Sequence, residues 1–238
     1  MGTRRWALPE GRQAVNDQTF GEFLTEFFDF LSRRYDDLIE VGLEHMALVS
    51  VSVLLSTVIG VIVGVTTYRT ERPREIALAV TGSFLTIPSF ALFILMIPVT
   101  GIGSPPVIVA LTMYGLLPIV RNTITGLREV DQATVESAKG MGMGRGQRLV
   151  RIELPMAWPV IVAGVRITTL ILVGIATIGA IVDGPGYGTF IFDGLARVGS
   201  PAAINLVVSG MLGVIVIAIL FDTILAVLGK LTTSRGIR

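Results

Sequence analysis

Asp131–Pro159 reads DQATVESAKGMGMGRGQRLVRIELPMAWP, the one long charged segment between strongly apolar ones in this 238-residue chain. Glu136, Lys139, Arg145, Arg148, Arg151 and Glu153 are interleaved there with Gly140, Gly142, Gly144 and Gly146. Asp131 is placed to cap a short helix in which Thr134, Ala138 and Met141 recur at helical spacing. Gly142 is expected to break that helix, and Gln147–Arg151 to open a second one that Pro155 stops. A polar loop of this length between hydrocarbon-length runs is either disordered or a docking surface, and two short capped helices favour docking.

The flanking sequence sets the class. Hydrophobic residues make up 52% of the chain and charged ones 16%, against about 25% charged in soluble domains. Five runs are long enough to cross about 30 Å of hydrocarbon: Met46–Tyr68, Ile76–Thr100, Pro106–Gly126, Trp158–Val182 and Ile204–Leu228. The expected fold is an all-α integral membrane protein with five transmembrane helices and an N-terminal amphipathic helix. The net charge of +1 leaves no footprint for nucleic acid, and the absence of cysteine excludes disulfides and thiol chemistry.

The division follows: residues 1–45 outside the spans, residues 46–230 as the transmembrane domain with its loop at 128–157, and a tail at 231–238. Met1–Gln18 is polar, lacks the apolar core of a signal peptide, and is expected to be mobile or loosely held. In Phe20–His45, Phe20, Phe23, Phe27 and Leu31 sit on one helical face with charges between them. This amphipathic helix either lies in the membrane interface or packs on the rest of the protein. Positive charge gathers at Arg69, Arg72 and Arg74, along the long loop, and at Lys230, Arg235 and Arg238. That side is expected to be cytoplasmic, with the N-terminus outside and the C-terminus inside. Arg4, Arg5, Arg12, Arg33 and Arg34 at the N-terminus run against the pattern.

The long loop resembles the "EAA" loop of ABC-importer permeases: Glu-Ala-Ala, three residues, Gly, nine residues, Ile, one residue, Leu-Pro. Here Glu136, Ser137 and Ala138 are followed by Gly142, Ile152, Leu154 and Pro155 at the same spacing, with Ser137 in place of the middle Ala. The blocks Thr86–Gly103 and Leu116–Thr123 are similar to those of osmoprotectant permeases, the glycine betaine, choline, carnitine and proline group. The resemblance implies a type I, methionine-permease-like core and a multi-pass protein of a prokaryotic cell membrane. It implies docking of ABC ATPase subunits on Glu136, Ser137, Ala138, Gly142, Ile152, Leu154 and Pro155. It also implies a second permease subunit, the same or a paralogue, and an extracytoplasmic substrate-binding protein. ATP and Mg would sit on the partner ATPase, and this chain, with no Gly-x-x-x-x-Gly-Lys-Ser/Thr loop, would be non-catalytic and carry no cofactor or metal. A permease for methionine or another small solute is the nearest alternative. A stand-alone secondary transporter would need a coupling-ion site, and the spans hold no acidic cluster.

Pro88, Phe90, Tyr114 and Asp183 are pathway candidates. Asp183 interrupts a Gly-rich run, Ile181–Gly188, that in relatives resembles Ile-Gly-Ala-Gly-Gly-Leu-Gly; it is a loop variant with an exposed acid or a lining residue of the outer mouth. Arg166 and Asp222 fall within spans. Both are expected to snorkel towards the cytoplasmic interface, with a pair between them as the alternative. His45 is expected to be an interface residue at the outer end of the first span.

Overall fold

The computed structural model describes residues 20–232, which fold into helices without a strand. The helices are α1 (Phe20–Arg33), α2 (Tyr35–Thr67), α3 (Glu71–Phe84), α4 (Ser89–Thr100), α5 (Ser104–Arg128), α6 (Gln132–Gly140), α7 (Arg145–Arg148), α8 (Leu154–Ala176), α9 (Gly188–Ala196) and α10 (Pro201–Thr232). The expectation for Met1–Gln18 and for residues 233–238 of the tail lies outside the described residues.

Four helical stretches are long and apolar enough to cross a membrane: Tyr35–Thr67, Ser104–Arg128, Arg145–Val182 and Ala202–Thr232. The fifth expected span, Ile76–Thr100, is not straight. It is a pair of helices, α3 and α4, bent by 96°. Pro88 has no N–H to give and keeps Ile87 out of helical space, so the chain closes α3 with the tight bonds Thr86 N to Ser83 O and Ile87 N to Phe84 O. The Ile87 carbonyl freed at the break accepts the Tyr114 hydroxyl at 2.8 Å. The pair still runs from one end of the bundle to the other. Arg69, just before α3, is bonded to Glu153, whereas Gly103, just after α4, donates to Val182 O at 2.9 Å. The two arms, about 21 and 18 Å long at 1.5 Å per residue, therefore make one broken span.

The central helix is α5, whose Val107, Ala110, Leu111, Ile119 and Val120 are fully buried. Small residues let its neighbours close in, as is common between membrane helices. A Cβ on Gly60 or Gly64 of α2 would stand 2.7 Å from Ile119 or 2.6 Å from Thr123 of α5. A Cβ on Gly164 of α8 would stand 2.6 Å from Asn122. Ser56 adds a hydrogen bond from α2 to Thr112 O of α5 at 3.0 Å.

Two N-terminal expectations change. Phe20–His45 is not one amphipathic helix: Arg34 leaves helical space at φ −120°, ψ 19°, and Tyr35–His45 forms the first turns of α2. Only α1 keeps the amphipathic pattern; it packs against α10 and buries Phe27. Because α2 starts ten residues earlier than His45, that ring is not at a helix end. His45 is fully buried, its Nε2–H donating to Val173 O of α8 at 3.2 Å.

Candidate functional site

The Asp131–Pro155 loop is built from local capping outwards. The Asp131 carboxylate accepts the Thr134 hydroxyl at 2.9 Å, the Thr134 N–H at 3.1 Å and the Ala133 N–H at 3.4 Å, fixing the start of α6. Those bonds, the Thr134 hydroxyl foremost, hold its pKa below the ordinary value. At the other end Met143 N donates to Ala138 O and Gly142 N to Lys139 O, with Gly142 at φ +80°. This is a Schellman closure, in which glycine takes the left-handed position that other residues resist. Both the cap at Asp131 and the break at Gly142 match the expectation from sequence.

Pro155 does not stop the second helix. From Arg145 the chain runs through α7, a π-helical turn at Leu149–Glu153, and straight into α8. Pro155 occupies the first turn of α8, where a missing N–H is tolerated. The wide turn, with Leu154 N bonded back to Leu149 O, absorbs the register change that a proline ring would otherwise force. The loop is therefore mechanically continuous with the fourth span.

The motif residues divide by direction. Glu136, Ser137, Gly142 and Pro155 are exposed, as is Met141 at 70%. Positions 140, 142, 144 and 146 have nothing within 4 Å of where a Cβ would stand. Together they form an open, side-chain-poor face. Ala138, one of the docking residues the resemblance implies, is fully buried against its own chain. Ile152 and Leu154 are half-buried, Leu154 packing on the cluster of Tyr68, Val120, Ile124, Leu127, Ala157 and Ile161.

Glu153, which the motif skips, ties the loop to the bundle. It is 3% exposed. It accepts the Tyr68 hydroxyl and two bonds from Arg69 Nη2, at 2.9 and 3.3 Å. Tyr68 and Arg69 lie between α2 and α3, so one carboxylate joins the loop to two spans. Beside it is a groove of about 680 Å³ that also presents Arg128, Arg145 and Arg148. The sequence signal for this anchor was an acid surrounded by arginines, which does not say which arginine it meets.

Three of the four pathway candidates meet at the α3–α4 break, and Asp183 stands apart from them. Tyr114 is 3% exposed and holds the α3–α4 break, while Pro88 and Phe90 are exposed beside that break. Asp183 is exposed at the far end, at φ 61° after the 3-10 turn Thr177–Val182. Arg166 and Asp222 do not snorkel apart: Arg166 Nη2 lies 2.6 Å from Asp222 Oδ2 and its Nε donates to Oδ1. A two-point pair satisfies both charges inside the spans more fully than separate reach to an interface would. Among the described residues no group of acids and histidines could hold a metal.

Residues 56–234 match the profile of a family described as binding-protein-dependent transport system inner membrane component. The choline transport system permease protein OpuBB of Bacillus subtilis is 35% identical over 209 residues, covering 88% of this chain and 94% of that one. The osmoprotectant import permease protein OsmY of Salmonella typhimurium is 36% identical over 202 residues, covering 84% of each. The carnitine transport permease protein OpuCB of Listeria monocytogenes is 33% identical over 195 residues, covering 82% of this chain and 88% of that one. A solved structure of the MetNI methionine ABC transporter in an inward-facing conformation contains a chain matched with a TM-score of 0.73 and 25% identity. The match covers 83% of this chain and 96% of that one.

Proposed function

The chain belongs to the binding-protein-dependent transport system inner membrane component family, and we propose that it is the permease of an ATP-driven importer for osmoprotectants such as glycine betaine, choline, carnitine or proline. The observation that carries the mechanism is the docking loop: an open face at Glu136, Ser137, Met141 and Gly142, held at one end by the Asp131 cap and at the other by Glu153. A soluble ATPase that grips this face moves α6. The continuous helix from Arg145 carries that movement into α8, and the Glu153 bonds carry it into α2 and α3. Closure of two ATPases on ATP would then rock two such permeases between inward-facing and outward-facing states.

The partners follow from that reading: two ABC ATPases holding ATP and Mg, a second permease subunit, and an extracytoplasmic binding protein that delivers solute. The permease itself is non-catalytic and holds no cofactor. The loop end is cytoplasmic, the N-terminus outside and the C-terminus inside. The likeness to a methionine transporter puts methionine in the solute panel, but the relatives named for choline, carnitine and osmoprotectants favour osmolytes.

The test is capture of the ATPase subunits by this chain, wild type against Glu136→Ala with Gly142→Asp, alongside its level in the membrane. Loss of capture and of solute-stimulated ATP hydrolysis at an unchanged membrane level supports the docking role. Normal coupling in the double variant, or no ATPase bound to wild type, overturns it.

A further inference from the structure

The Arg166–Asp222 pair lies deep in the spans. On the same helix as Arg166, the Trp158 indole N–H donates to Thr232 near the end of α10 at 2.8 Å, and tryptophan favours the membrane interface. Arg166 is eight residues beyond Trp158, about 12 Å along α8, and Asp222 is ten residues before Thr232, about 15 Å along α10. The pair is nevertheless not sealed in: the Arg166 side chain is 45% exposed and that of Asp222 32%. It opens on a groove of about 610 Å³ walled by Ala163, Ile167, Leu170, Ala218 and Ile219. Ionised groups at such depth face a bundle interior or water rather than acyl chains.

On the importer reading given above, we propose that this groove is part of the hydrated translocation pathway and that Arg166 and Asp222 contact zwitterionic solutes, those joining a fixed cation to a carboxylate. A guanidinium has five N–H donors, and Asp222 takes two of them. The others can meet a solute carboxylate as charge-assisted hydrogen bonds. A quaternary ammonium has no N–H, so Asp222 attracts it by charge alone, while the aliphatic walls receive its methyl groups. The pair is neutral as a unit and so is a zwitterion, so such a solute enters without adding net charge to a low-dielectric site. A solute that is only a cation leaves its charge uncompensated there. The pair stays closed as each solute comes and goes, so both charges remain compensated when the contact releases what it binds.

The chain has no cysteine, so single cysteines can be read directly. Ala163→Cys, Leu170→Cys and Ala218→Cys are made in the full transporter in vesicles, with Leu54→Cys, on an exposed α2 face, as reference. The groove cysteines are expected to react with a charged, water-soluble thiol reagent, more slowly when glycine betaine is present. Arg166→Gln with Asp222→Asn is expected to lower glycine betaine uptake roughly ten- to hundredfold, the worth of one charge-assisted hydrogen bond, and choline uptake much less. The exchanged pair, Arg166→Asp with Asp222→Arg, serves if the neutral variant does not reach the membrane. It keeps an ion pair, moves each charge to the other helix, and is expected to lower uptake of the zwitterion at unchanged membrane level. Groove cysteines that react only with a lipid-soluble maleimide, or that cross-link to a second copy and exclude the charged reagent, overturn the hydrated groove. Equal losses for both solutes overturn the zwitterion contact. Labelling by the charged reagent in a transporter that imports neither solute overturns the osmoprotectant reading, and the solute class with it, while the hydrated groove stands.

Discussion

Glu153 and Glu136 are both acids of the same loop, one buried and the other exposed. Glu153 is buried and bonded to Tyr68 and Arg69, so Glu153→Ala leaves a buried phenol and a guanidinium without their acceptor. The expected cost is about 1–3 kcal/mol, read as a lower melting temperature of the solubilised protein, with Tyr68→Phe costing less. Glu136 is exposed, so Glu136→Ala is expected to leave melting unchanged while weakening ATPase capture. Glu153→Gln keeps the volume and an acceptor oxygen. It is expected to keep the ATPase bound yet lower solute moved per ATP hydrolysed, because the link to α2 and α3 is loosened. The sequence singles out Glu136 as a docking candidate because its spacing to Gly142 and to Leu154-Pro155 is local. It hid Glu153, whose partners are 84 and 85 positions away, and for the same reason left the Arg166–Asp222 contact undecided.

At the scale of elements, α6 depends on its cap. Asp131 has its pKa lowered in the folded loop from an ordinary 3.8, by the Thr134 and Ala133 bonds. Its contribution is therefore complete above the ordinary value and is lost as pH falls through the lowered one. Protection of the amides in residues 133–137, taken relative to their intrinsic exchange rate at each pH, is expected to fall in that acid window, and to be low at every pH in Asp131→Ala. The helix contacts behave differently. A Cβ at Gly64 would meet Thr123 at 2.6 Å, so Gly64→Val must push α2 from α5 and is expected to cost about 1–3 kcal/mol by overpacking. Gly140→Ala, with open space around it, is expected to fold as wild type; loss of melting temperature there would show that the α6 face is packed rather than open. Hydropathy located the crossings because apolar length is a local property. It missed the 96° bend between α3 and α4, since a proline next to apolar residues is compatible with a kink, a break or a loop. Only the Tyr114 bond to Ile87 O shows where the freed carbonyl goes.

The whole molecule has one end built from the loop, Tyr68 and Trp158, and another from Gly101–Gly103, Asp183 and α9. Which end faces the cytoplasm rests on arginine placement, and the N-terminal arginines oppose it. The physical case for the loop end is that an ATPase and its nucleotide are cytoplasmic, so a docking face must be too. An absence of native cysteine makes this testable in intact cells. Gly144→Cys lies on the open loop face, whereas Ile102→Cys and Val198→Cys replace side chains that are 66% and 79% exposed at the opposite end. An impermeant thiol reagent added outside is expected to label positions 102 and 198 in whole cells, and position 144 only after the membrane is opened. Labelling of position 144 from outside, with protection of the other two, would invert the protein in the membrane. No cytoplasmic ATPase could then reach the loop, and the coupling route through α8 and Glu153 would have to be abandoned.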